Sequence, residues 1–189
     1  MPNLAKPNGL SDFHKVLAEF RRLALWAAPS AAVPFVADLV SLAPPWPKAI
    51  VVLTAIAQLG AIMLVYQVHR TARRKTITRL MKVSAVVLAA ATTIYLVGDS
   101  LFTYQTPVSG ARWVKGFICN ADALLVFPDK CPWLDRPELE TANWDAERLW
   151  SLWSLAVMRV GLVVLWIIAF LALSTFIASF VVYQRRATA

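Results

Sequence analysis

The chain has 189 residues, 59% of them hydrophobic and only 16% charged, where an average soluble domain carries about 25% charged residues. That balance excludes a water-soluble globular fold for most of the chain and leaves no room for a separate soluble catalytic domain. The net charge of +8 does not signal nucleic acid, because the basic residues sit on the flanks of apolar stretches, where the positive-inside rule puts them.

Residues 1–22 read as a cytoplasmic tail and a short amphipathic helix at the membrane interface. Ser11 is an N-cap and Asp12 stands in the first turn; Phe13, Val16, Leu17 and Phe20 then recur at helical spacing among Lys15, Glu19, Arg21 and Arg22. This stretch lacks the continuous apolar run of a secretory signal peptide. Residues 23–189 form the membrane domain. Its first span is expected over Leu23–Ala43, kinked by Pro29 and Pro34, with Pro44-Pro45-Trp46-Pro47-Lys48 turning the chain. The second is expected over Ala49–Val68, with Thr54 and Gln58 near its middle. The third covers Val83–Tyr104 and holds Thr92, Thr93 and Asp99. Residues 105–148 are the one sizeable loop. The fourth span, Leu155–Tyr183, lies in a 35-residue stretch, Leu149–Tyr183, whose single charge is Arg159. About 20 apolar residues suffice to cross a bilayer as a helix. The expected fold is therefore all-α: an integral membrane four-helix bundle with one extracytoplasmic loop.

Orientation follows from charge. Lys15, Arg21 and Arg22 precede span one; Arg70, Arg73, Arg74, Lys75, Arg79 and Lys82 join spans two and three; Arg185 and Arg186 follow span four. All three groups are cytoplasmic only if both termini are, which predicts a multi-pass protein of a cell membrane, in all expectation the bacterial inner membrane. The cluster from Arg70 to Lys82 also fits anionic lipid headgroups. The loop at 105–148 holds seven acidic residues against five basic ones, as suits the outer face, and Trp46, Trp113, Trp133, Trp144, Trp150 and Trp153 fall on that side.

Cys119 and Cys131, the only cysteines, both lie in the outer loop and predict a disulfide, worth about 3 kcal/mol on the chain-entropy account. Four spans, internal termini and two cysteines in the second outer loop resemble the quinone-linked disulfide-forming oxidoreductases of bacterial membranes. The resemblance covers topology alone. That family carries a Cys-x-x-Cys pair in its first outer loop, where this chain reads Ala43-Pro44-Pro45-Trp46-Pro47-Lys48. Without that pair electrons have no route to a quinone, so the cysteines read as a structural staple.

The intramembrane polar candidates are Asp38, Gln58, Asp99 and Arg159. Ionisable groups in lipid face a bundle interior or a wet cavity. Counted from the basic flanks, Asp38 and Asp99 share a depth in the outer leaflet and Arg159 lies higher. An Asp–Arg pair that holds the bundle together is the structural reading; an acidic vestibule or ion path is the functional one. Small residues repeat at four-residue spacing, Ala85/Ala89/Thr93 and Ser174/Ala178 beside Thr175/Ser179, which suits close helix approach within or between subunits. His14 and His69, the only histidines, stand at cytoplasmic edges and cannot pair as axial haem ligands within the bilayer. No motif predicts a catalytic residue, a metal site or a cofactor, and no nucleic-acid partner is expected. The expected function is a non-enzymatic, homo-oligomeric membrane protein: a channel-like, sensor or membrane-effector component, by analogy of size and shape with partners in bacterial antiviral or stress systems. The alternative is a small transporter or redox-type membrane enzyme using Asp38 and Asp99, or an accessory subunit of a larger complex.

Overall fold

The computed structural model describes residues 29–69, 72–107 and 109–187. The tail and interfacial helix expected at 1–22, the opening residues of span one and Arg70 lie outside them. In chain order the elements are α1 (residues 29–39), α2 (Ile50–His69), α3 (Arg74–Phe102), the strands β1 (Thr103–Gln105) and β2 (Arg112–Val114), three short helices α4 (Ala121–Val126), α5 (Arg136–Thr141) and α6 (Ala146–Leu149), and α7 (Leu152–Ala187). Three of them, α2, α3 and α7, are long and apolar enough to cross a membrane.

The distribution of polarity is inverted relative to a soluble protein. Val52, Ile56 and Leu64 of α2, Val86 and Ile94 of α3, and Val160 and Val164 of α7 are exposed, while Thr54, Gln58, Ser84, Asp99, Ser174 and Ser179 are buried. Water would penalise every one of those exposed side chains. Hydrocarbon does not, and it drives the polar groups inward instead. The three long apolar helices and this inverted polarity mark a membrane protein.

Helix α7 is the centre of the packing: both α3 and α2 lie along it. The Tyr95 ring of α3 packs tilted against Trp166 of α7, centroids 5.4 Å apart, and Ile77 near the start of α3 clusters with Val182 near the end of α7, so these two helices run antiparallel. Thr54, Ile62 and Tyr66 of α2 meet Trp166, Ala178 and Val182 in that order, so α2 and α7 run parallel. Trp166 ties the three together, because its Nε1 donates to Thr54 Oγ1 at 2.9 Å and its ring packs on Tyr95 and Phe170. The far end is closed by Arg74, whose guanidinium lies 4.7 Å from the Tyr183 ring centre and donates to its hydroxyl.

The segment between α3 and α7 is a folded cap, and here the structure departs from an all-α chain. Helix α3 stops at Phe102, two residues short of the expected Tyr104. Thr103-Tyr104-Gln105, β-branched and aromatic, pair with Val114, Trp113 and Arg112 in an antiparallel hairpin. The cap core gathers Cys119, Ala123, Leu134, Leu139, Ala146, Leu149 and Trp150 around Leu155 of α7. Trp150 is fully buried, and its Nε1 donates to Pro132 O at 3.2 Å. Gly116 is required where the hairpin exit crosses this residue: a Cβ there would lie 2.6 Å from Trp150 Cβ and 2.4 Å from Ser154 Oγ.

Candidate functional site

The polar groups converge where the cap meets the helices. Asp99 lies one turn from the C-terminus of α3, on the same face as Tyr95 and Thr103. Its carboxylate oxygens both accept from Arg112 Nη2 at 2.6 Å. The register that sets Gln105 opposite Arg112 turns the second strand back over the end of α3 and brings the guanidinium there. Thr103 Oγ1, which itself donates to Asp99 O at 2.7 Å, receives Nη2 at 3.3 Å. The other nitrogen, Nη1, donates to Ser41 O and, at 3.0 Å, to Ala43 O.

Those carbonyls belong to the turn after α1. Helix α1 ends before the proline run: Ser41 N donates to Asp38 O at 2.8 Å and Leu42 N to Ala37 O at 2.9 Å, the paired bonds of a Schellman cap. Ser41 occupies the left-handed position, φ 57°, that glycine ordinarily takes. Tyr95 secures the same turn, donating its hydroxyl to Leu42 O at 2.6 Å. One arginine of the cap thus holds α3 and the end of α1. With side chains only 18% and 12% exposed, Arg112 and Asp99 gain little relief from solvent, and a half-buried cation keeps its place only by satisfying its donors.

The sequence candidates fare differently. Asp99 is in the site, paired with Arg112 rather than with Arg159. Arg159 stands on the part of α7 that rises toward the cap, near enough to Tyr104 to act on its phenol, and is half-buried. Asp38 is within a turn of the clamp through its backbone, but its side chain is exposed on α1. Gln58 lies deep in the α2–α7 seam, away from the clamp. Arg112 was missed because it counted only as one basic residue of the outer loop. The signal that finds it is a hairpin signature, two β-prone triplets flanking Gly110, whose φ is 66°.

Around the clamp the cap is rigidly made. Cys119 and Cys131 form a disulfide. Lys130 pairs with Glu138, a side chain that also accepts from Asp135 N at 3.0 Å in a capping box at the start of α5. The Lys130 ammonium holds the Glu138 carboxyl below the usual glutamate range. Tyr104 donates to Trp144 O at 2.9 Å and stacks on the Trp144 ring; burial, together with Asp145, pushes its phenol up to about 12. A polar cleft of about 440 Å³ opens beside it, lined in part by Gln105, Lys115, Arg136 and Trp144. No family of proteins matches this chain, and neither curated proteins nor solved structures yield a match.

The described residues hold no group of three or more histidine, cysteine or acidic side chains placed to bind a metal. What the arrangement does is structural and electrostatic: it joins the cap to the end of α3 and to the turn after α1.

Proposed function

We propose that the chain is a non-enzymatic, self-associating membrane protein in which the cap is a sensing or effector element and the helices carry its displacement across the bilayer. The observation that carries this reading is the Arg112 clamp. Through it the cap grips α3 and the turn after α1, and through Leu155 and Trp150 it is continuous with α7. A force or ligand acting on the cap therefore shifts three helices at once. The sensor or effector form is favoured over the channel-like one, because Thr54, Gln58, Ser174 and Ser179 are turned into the helix seams rather than toward an open path. In this reading the full fold has four spans with both termini cytoplasmic, the cap faces outward, and the basic residues from Arg70 to Lys82 meet anionic lipid.

Self-association is supported by the α3 surface. The small-residue seam on α7 is used within the subunit, since Ser174, Ala178 and Ser179 are buried. The seam on α3 is not. Ala89 and Thr93 are exposed, and with Ala85, Leu88, Thr92 and Phe176 they line a lipid-facing groove of about 480 Å³ that admits a second helix closely. The test is Ala89→Cys in native membranes, where both natural cysteines are already bonded to each other. An oxidant-dependent dimer through Cys at 89 is expected. Absence of that dimer, with a monomeric mass in nanodiscs, would overturn the self-association reading; a mass containing other chains would point to the accessory-subunit alternative.

A further inference from the structure

Gln58 is fully buried near the middle of α2, and neither its Oε1 nor its Nε2 has a hydrogen-bond partner among the described residues. An amide stranded in hydrocarbon is among the most unfavourable groups a membrane helix can carry, and buried polar atoms without a protein partner are a mark of an ordered water or ion. A neighbouring subunit cannot supply the partner, because no part of the side chain reaches the surface.

The surroundings choose between the guests. Gln58 lies one turn beyond Thr54 and one turn before Ile62. Those two meet Trp166 and Ala178, so the stretch of α7 near Phe170–Ser174 runs abreast of Gln58. The hydroxyls along this seam already spend their hydrogens on their own helices: Thr54 Oγ1 donates to Ile50 O at 2.7 Å and Ser174 Oγ to Phe170 O at 2.9 Å. They remain acceptors. Gln58 offers two N–H donors and a carbonyl. A water molecule completes this set, accepting from Nε2 and donating to Oε1 and to a hydroxyl. A monovalent cation does not, because neither α2 nor α7 carries an acidic residue to balance its charge.

We propose that Gln58 is the anchor of a water site inside the bilayer, in the seam between the parallel helices α2 and α7. The test is solid-state NMR of the full-length protein in liposomes, with magnetisation transferred from water to the Gln58 side-chain amide, assigned by its loss in Gln58→Leu. Transfer to that amide is expected to be at least several-fold faster than to the backbone amide of Ile62, one turn away. Equal, slow transfer at both would overturn the proposal. So would an amide resonance that moves when sodium is exchanged for N-methylglucamine, since that names an ion. If Gln58→Leu does not insert, Gln58→Glu provides the assignment and leaves the measurement on the wild-type protein intact.

Discussion

Removing Arg112 is the sharpest way to test the clamp. Arg112→Met keeps the aliphatic stem and deletes the guanidinium. Asp99, whose side chain is 12% exposed, then loses its cationic partner, and the carbonyls of Ser41 and Ala43 lose a donor. Breaking a buried pair from one side costs about 3–5 kcal/mol, and the partial exposure places this pair at the low end, about 3 kcal/mol. That is on the order of a 100-fold change in the unfolding equilibrium at 1.4 kcal/mol per decade. Asp99→Asn costs less, about 2 kcal/mol, because Arg112 keeps its two carbonyl acceptors and some access to solvent. The double variant no longer contains an unpaired charge, so it is expected to fall about 2 kcal/mol short of the sum of the single effects. Reversible unfolding by steric trapping in bicelles reads all four proteins. An Arg112→Met variant within about 0.5 kcal/mol of wild type, or a double variant that is simply additive, would refute the clamp as the joint between cap and helices.

Other outcomes follow from neighbouring features. Gly116→Ala drives a methyl into Trp150 and Ser154, both fully buried, and is expected to destabilise by about 1–3 kcal/mol in the same assay; a neutral result would mean the hairpin crosses elsewhere. Ser41→Gly relieves the left-handed backbone at the end of α1 and should raise stability by about 0.5–1 kcal/mol; a loss would show that the serine side chain is itself needed. Cys119→Ser with Cys131→Ser should lower the resistance of the cap to proteolysis while insertion is unchanged, and finding both wild-type thiols open to alkylation without reductant would remove the staple. Because the Glu138 carboxyl is held below its unfolded range, the stability it contributes is fully present above that range and is lost as pH falls through its folded value; the acid loss of cap protection should vanish in Glu138→Gln, and its persistence would assign the transition to another group. Neutralising Arg70, Arg73, Arg74, Lys75, Arg79 and Lys82 together should scramble orientation in a cysteine-accessibility assay; an unchanged orientation would remove charge as its cause.

The membrane helices were legible because the signal is local: α2 and α7 each carry enough consecutive apolar residues to declare their solvent. The disulfide was legible because two cysteines admit one pairing. A fixed rise per residue is the ground for expecting Asp38 and Asp99 at similar heights, but the direction each faces depends on packing, which no count along the chain supplies. Asp38 points away and Asp99 points in. The clamp was hidden for a related reason. It rests on strand register, and a hairpin three residues deep leaves a weak trace in a loop read for its charge. Gln58 was visible as a polar residue in mid-span, whereas its lack of a partner among the described residues is a property of three dimensions alone.

Helix α7 has 36 residues, about 54 Å at the usual rise, while α2, with 20 residues, measures about 30 Å and matches the hydrocarbon thickness on its own. The two run side by side from the Thr54–Trp166 level onward, so about ten of the sixteen extra residues stand on the capped side as a stem beneath Trp150. A thicker membrane would bury that stem and press lipid headgroups against the hairpin and Arg112. A thinner one would lift the cap clear of the surface or force the long helix to lean. In the proposed topology the height of the cap above the lipid follows bilayer thickness, and the same chain would present its cap differently in membranes of different composition.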